Sequence, residues 1–344
     1  MAASAPHVAL FGELLLRLAP PDRLRLVQAS RLDVAYTGGE ANAGAVLAAC
    51  GCGARLISAV PAHAIGQACL NEMRRYGLDT RHVLRRGERL GTFFLEQGVA
   101  QRPSQVIYDR RGSSFAELRP GDLDWGGALE GCAWLHFTGT APALSPELAR
   151  LTQEGCRAAR ERGLTVSCDL NYRAALWTVG QARPVLRELA AACDWIVANE
   201  THARLLLGSP DLAGNGAADL FEAGRYAACL EFLRSEYGLR GAALTVRAGD
   251  LAEQTRFAAV GDDGRGPKMS RVYDITALDR VGAGDAFTGG LIAALLRGDE
   301  LAEAVEFAAA AGCLKHAIAG DACHATEAEI RALVANPSAG VIKR

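Results

Sequence analysis

The 344-residue chain carries 37 basic and 39 acidic side chains, and its formal charge of −2 gives no electrostatic reason to expect nucleic acid or a membrane surface as partner. Half of the residues are hydrophobic and 22% are charged, which excludes intrinsic disorder and suits one large α/β domain or two smaller ones. The ten cysteines include no C-x-x-C pair, and Cys132, Cys168, Cys193 and Cys313 sit in apolar runs where a thiol acts as a small buried hydrophobe, so a reducing compartment, the cytoplasm, is expected.

In chain order, the first twenty residues hold a short apolar stretch without a basic flank, broken by Glu13 and Arg17, so neither a signal peptide nor a membrane span is expected. Apolar runs at 7–11, 54–60, 132–137, 164–168, 195–198 and 242–246 predict strands. Between them, 3.6-residue periodicity predicts helices over 40–49, 145–162 and 184–193, the last opening on Pro184, a residue suited to a first helical position. Strands alternating with helices imply right-handed βαβ units and a mostly parallel sheet, and strands this apolar imply helices on both sheet faces. Two stretches, 14–36 and 91–113, have little helical period and read as a small antiparallel sheet beside the main one, a lid. Residues 211–224, rich in Gly, Ala and Asp, read as a surface loop. No repeat or linker divides the chain, so a single domain over 1–338 is expected.

The sharpest chemical signal is the run Asp279-Arg280-Val281-Gly282-Ala283-Gly284-Asp285-Ala286-Phe287, followed by Thr288-Gly289-Gly290. Phe287, Leu291, Ala294 and Leu295 recur at helical spacing, so a helix starts near Gly284 and stops at Gly298. The small turn Gly282-Ala283-Gly284 then presents bare N–H groups at a helix N-terminus, where an anion is favoured. Asp285, in the first helical turn, is a poor phosphate ligand but a sensible base for a hydroxyl attacking that phosphate. The bland alternative is a helix capped by Gly and Asp with no ligand. Earlier in the chain, Gly38 and Gly39 open a helix with Asn42 one turn in, and could admit a polar ligand or form an ordinary turn. Asp169, Asn171 and Arg173 alternate at the end of a predicted strand, where open α/β sheets bind ligands. Arg110 and Arg173 suit a carboxylate partner better than a neutral sugar does, although the three lysines leave 34 arginines among the 37 basic residues, most of them surface charges by default. There is no Gly-Lys dipeptide, so a Walker A loop is excluded, and the seven histidines show no zinc spacing.

The run D-R-V-G-A-G-D-A-F-T-G-G-L resembles the C-terminal signature of the ribokinase-like (PfkB) carbohydrate kinases, and Tyr36-Thr37-Gly38-Gly39-Glu40-Ala41-Asn42 resembles their N-terminal signature. Within the family, Phe11-Gly12-Glu13-Leu14, the segments 101–110 and 168–177, and Cys313-Leu314-Lys315-His316 look like those of 2-keto-3-deoxygluconate kinases. The resemblance implies a three-layer αβα sandwich with a mostly parallel central sheet and a small β-sheet lid, and ATP-dependent phosphorylation of 2-keto-3-deoxygluconate. Other expectations are a fructokinase-like acceptor or a non-catalytic sugar- or nucleotide-binding relative. It also implies Asp285 as base with the backbone of Gly282, Ala283 and Gly284 as anion hole, and Gly38, Gly39, Asn42, Phe94, Tyr108, Arg110 and Arg173 around the sugar acid. Asn171, Asn199, Thr245, Arg247, Gly282 and Gly284 would meet ATP, with Ala309, Gly312, Cys313 and His316 flanking the adenine. The family pattern Asn-x-x-Glu is here Asn199-Glu200-Thr201-His202, so Glu200 is the candidate for Mg²⁺, through water, in place of the usual acid. A homodimer covering the lid's apolar strand faces completes the expectations.

Overall fold

The computed structural model describes residues 7–212, 220–249 and 253–336. Of the expected features, residues 1–6 of the N-terminal stretch, 213–219 of the surface loop and 337–338 of the domain lie outside the described residues. Strands are β1 (His7–Phe11), β2 (Leu15–Ala19), β3 (Asp33–Thr37), β4 (Gly53–Val60), β5 (Asp79–Arg85), β6 (Gly91–Glu96), β7 (Gln105–Asp109), β8 (Cys132–Thr138), β9 (Thr165–Asp169), β10 (Trp195–Asn199), β11 (Gly241–Ala248), β12 (Gln254–Asp262), β13 (Lys268–Met269) and β14 (Tyr273–Thr276). Helices are α1 (Gly39–Ala49), α2 (Ala64–Arg75), α3 (Trp125–Ala128), α4 (Pro146–Glu161), α5 (Val179–Ala190), α6 (Glu200–His202), α7 (Ala227–Tyr237), α8 (Ala283–Arg297), α9 (Leu301–His316) and α10 (Glu327–Ala335).

The main sheet has the order β13-β12-β11-β10-β9-β8-β1-β4-β5, with β14 also on β12. From β11 to β5 every pairing is parallel, while β12, β13 and β14 form an antiparallel edge. Alternation along β1 shows how the layers arise: Val8 and Leu10 join the core under α1, α2, α8, α9 and α10, whereas Ala9 and Phe11 join the core under α4, α5 and α7. Both faces are covered, so the strands are apolar throughout, and the molecule has the expected three-layer α/β fold. From β1 the chain goes first to β4 on one side and later to β8 on the other, and the crevice opens at the carboxyl ends of these strands.

A second sheet, ordered β3-β2-β6-β7, stands over that crevice. It was expected to be antiparallel, but its central pair, β2 with β6, is parallel. The reason is topological: β2 continues from β1 and β6 from β5, two strands that leave the main sheet in the same direction. Pro184 also differs from expectation. Helix α5 begins at Val179, where Thr178 and Gln181 form a capping box, a stronger start signal than Pro184. Pro184 lies inside the helix, and the carbonyl deprived of its N–H belongs to Gly180, an exposed residue. All ten cysteines are free; Cys132 and Cys313, expected to be buried, are partly exposed because they lie at a strand start and on an outer helical turn.

Candidate active site

A cleft of about 940 Å³ lies between the two sheets and receives side chains from both. At its floor the anion turn forms as the sequence predicts. Gly282 is the N-cap of α8 with φ 83°, and a Cβ there would collide with the carbonyl of Asp321, so only glycine fits. No side chain caps α8, and its first intrahelical bond runs from the Ala286 N–H to the Gly282 carbonyl at 2.8 Å. The N–H groups of Gly284 and Asp285 therefore have no partner within the helix. A Cβ on Gly284 would meet nothing within 4 Å, so the cleft reaches the main chain there. Ala283 differs: its methyl is buried in the core, off the cleft, and only its backbone belongs to the turn.

Asp285 lines the cleft beside this turn. The Asn42 amide donates to its Oδ2 at 2.8 Å, and the Thr37 hydroxyl donates to Asn42 Oδ1 at 3.0 Å, which fixes the amide so that its NH₂ faces the acid. Burial pushes the Asp285 carboxyl up to about 7; the Asn42 bond and Arg173 oppose this, while Asp169 and Glu40 add to it. Gly39 opens α1 so close to this group that a Cβ would lie 3.6 Å from Asp285 Oδ1 and 3.8 Å from Asn171 Nδ2. Gly38 and Gly39 both line the cleft, as expected, and leave room for a hydroxyl between α1 and α8.

Asp169, Asn171 and Arg173 all reach the cleft, though not along one extended face. Asn171 takes φ 32°, and its N–H donates back to Asp169 Oδ1 at 3.0 Å, so the chain bends at the end of β9. From the small sheet, Phe93 and Tyr108 are cross-strand partners, and both face the cleft with Leu95 and Val106. Phe94 does not. It was expected at the substrate, but side chains alternate along β6 and Phe94 points to the sheet's outer face. Arg110 lines the cleft as expected but is already engaged: its Nε donates to Glu13 at 2.5 Å, and Ser113 donates to the other Glu13 oxygen.

Of the residues expected at the nucleotide, Asn199, Thr245 and Arg247 line the cleft from the ends of β10 and β11. Asn199 caps α6, accepting from the His202 N–H at 2.8 Å. His202 is driven down to about 4 by burial and then by Arg173, so its ring is neutral near pH 7 and is no surrogate for a carboxylate. Glu200 lines the cleft, and among the described residues no three His, Cys, Asp or Glu side chains cluster as a metal cage. Mg²⁺ held chiefly by phosphate oxygens and water needs only one or two carboxylates, and Glu200 fits that sparse donor set. Ala309, Gly312, Cys313 and His316 are absent from the described cleft lining. They occupy α9, a small-residue helix packed under α8; a Cβ on Gly312 would lie 3.1 Å from the Ala283 carbonyl, and His316 Nδ1 bonds the Gly312 carbonyl at 2.7 Å. Gly312 thus packs against the glycine turn from behind.

Sequence reasoning missed three groups. Glu40 is a buried cleft acid that accepts the Thr138 N–H at 2.9 Å and is raised to about 7 by burial; an acid in an otherwise small and apolar helix was the available signal. Glu13 lies in the segment Phe11-Gly12-Glu13-Leu14 that the resemblance marks, but nothing local signals its pairing with Arg110. Arg17, from β2, reaches Asp279 at 2.8 Å and also pairs with Asp321, so the small sheet is tied to the loop that presses on Gly282.

The pattern described as pfkB family carbohydrate kinase matches residues 5–322. The crystal structure of 2-dehydro-3-deoxygluconokinase from Thermotoga maritima is 38% identical, with a TM-score of 0.92 over 96% of this chain and 100% of that one. A 2-dehydro-3-deoxygalactonokinase of Haloferax volcanii is 31% identical over 336 residues, 96% of this chain and 97% of its own. The 2-dehydro-3-deoxygluconokinase of Bacillus subtilis is 28% identical over 90% of both chains. With its glycine turn, its buried acid and its two-sheet cleft accounted for, the chain belongs to the pfkB family of carbohydrate kinases.

Proposed function

We propose that the protein transfers the γ-phosphoryl group of ATP to the 6-hydroxyl of 2-keto-3-deoxygluconate. The observation that carries this reading is Asp285, held by Asn42 beside an uncapped helix N-terminus, in a family whose 38%-identical solved member bears that activity in its name. Asp285 takes the proton of the hydroxyl as its oxygen bonds to γ-phosphorus; the bond to the β-γ bridging oxygen breaks, and ADP leaves with that electron pair. Gly284 and Asp285 N–H groups bind the oxygens on which charge develops. Mg²⁺ travelling with the nucleotide would supply charge neutralisation, and Glu200 is the residue assigned to one of its waters.

The sugar acid sits against Gly38, Gly39, Asn42 and Tyr108, its carboxylate sharing Arg110 with Glu13 and facing Arg173. We read the chain as one kinase domain with β2, β3, β6 and β7 as its lid, assembled as a homodimer in the cytoplasm, where ten free thiols are at home. The Haloferax relative favours a second reading, the C4-epimeric 2-keto-3-deoxygalactonate as acceptor.

The test is a coupled ADP-release assay on both 2-keto-3-deoxy acids, gluconate, fructose and ribose, with and without Mg²⁺. The highest kcat/KM is expected for 2-keto-3-deoxygluconate; preference for fructose or ribose overturns the acid-binding reading, and preference for the epimer selects the second.

A further inference from the structure

The arginines that line the cleft fall into two sets. Arg110 is spoken for by Glu13 and Arg23 by Glu253. Arg173, Arg247 and Arg280 line the same cleft, and none of the three forms an ion pair among the described residues. They reach it from three different segments of the chain, and the glycine turn lines the same cleft. Arg173 follows β9, Arg247 is next to last in β11, and Arg280 stands two residues before Gly282. Two of the guanidinium groups are held without being neutralised, and Arg173 carries no side-chain hydrogen bond among the described residues. Arg247 lies over the Phe257 ring at 5.4 Å, and Arg280 reaches only the Gln254 carbonyl, at 3.4 Å, with its Nε buried and unpartnered.

The three charges stand close enough for Arg247 to feel the other two. Burial lowers Arg247 to about 10, and repulsion from Arg280 and Arg173 adds to that, with only Asp169 and Asp285 opposing. Three like charges with most of their donors unused gain most from a ligand bearing several negative charges on planar or tetrahedral oxygens. A sugar acid brings one such charge; a nucleotide triphosphate brings three or four.

We propose that Arg247 and Arg280, with Arg173 at the junction with the sugar, form a guanidinium clamp on the nucleotide's polyphosphate chain. Arg280 thereby becomes a binding residue in addition to the glycine turn it precedes. The clamp rests on the kinase reading, but not on which sugar is the acceptor. It gives the protein a fixed positive charge in the same cleft that Glu200 lines.

Isothermal titration of the apo protein with ATP, ADP, AMP and inorganic tripolyphosphate tests this without any acceptor. Arg280→Met and Arg247→Met should each weaken ATP and tripolyphosphate by about tenfold or more, as loss of a charge-assisted bond does. AMP affinity and the KM for the sugar acid should move little, and Arg280→Lys should recover part of the loss. Equal weakening of ATP and AMP, unchanged ATP affinity, or a loss confined to the sugar's KM would each overturn the clamp. If Arg280→Met fails a thermal-unfolding check, Arg280→Gln and Arg247→Met carry the same comparison. Failure to phosphorylate 2-keto-3-deoxygluconate would reject the acceptor assignment and leave these titrations intact.

Discussion

In the proposed mechanism the raised proton affinity of Asp285 suits it to accept the hydroxyl proton, and the cost of that placement is measurable. Asp285→Asn keeps the Asn42 neighbourhood polar but removes the base, so turnover should fall by about 10² to 10⁴ in a single-turnover or coupled assay. Near-normal turnover would remove Asp285 from the mechanism. The free-enzyme carboxyl is raised from 3.8 to about 7, so kcat/KM for the sugar should climb with pH and level off above about 7. The same shift has a stability consequence. A raised acid binds its proton more tightly in the folded state, so its contribution to stability is present at low pH and lost as pH rises towards 7. Asp285→Asn should therefore melt higher than wild type at pH 8, with the difference shrinking towards pH 4; a lower melting temperature at pH 8 would mean the buried charge is better compensated than its neighbours indicate. At this scale the sequence was legible wherever chemistry was contiguous. Gly282, Gly284 and Asp285 announce themselves within four positions, whereas Phe94 and Phe93 differ by one step of strand phase that their shared identity cannot resolve. Glu13 stands in a segment that the resemblance marks, but its pairing with Arg110, 97 positions away, left no trace before the chain was folded.

The anion turn separates two kinds of glycine, and a pair of substitutions exposes the difference. Gly282→Ala puts a side chain at φ 83° and against the Asp321 carbonyl, so it should destabilise by at least about 1–3 kcal/mol, read by denaturant unfolding. Gly284→Ala meets open space and lies inside a helix, so stability should hold or rise by about 0.5–1 kcal/mol. Its methyl nevertheless stands where phosphate oxygens would approach, and kcat/KM for ATP should drop about tenfold or more. Normal ATP kinetics in Gly284→Ala would place the phosphates elsewhere. Element by element, the order of strands and helices was readable because each βαβ unit is local and both its faces are apolar. The parallel pairing of β2 with β6 was not, since it depends on where β1 and β5 end in space. Nor was the Arg17 link from β2 to Asp279 and Asp321, which joins positions 262 and 304 residues apart.

Viewed from outside, the small sheet carries one apolar row. Register aligns Val34 with Leu18, Leu18 with Phe94, and Phe94 with Ile107, so all four share the face turned away from the cleft. Val34 and Ile107, at the two edges, are 59% and 54% exposed, and Leu18 and Phe94 are partly exposed between them. An apolar row across a sheet whose other face lines an active-site cleft is the surface a second copy would cover in the proposed homodimer, and a two-fold pairing lays the row against itself. In the proposed homodimer Phe94 would serve assembly, where the sequence pointed to substrate. Sedimentation velocity at micromolar concentration should give a dimer, and Val34→Lys with Ile107→Lys should shift it to monomer. Because the cleft-facing Phe93, Leu95 and Tyr108 are untouched, each protomer's Asp285 and Asn42 should keep their geometry. A wild-type monomer at all concentrations, or a double variant that remains dimeric, would detach this face from assembly. A monomeric variant whose KM for the sugar rises while its ATP affinity stays constant would show that the second copy steadies the lid over the acceptor rather than the nucleotide.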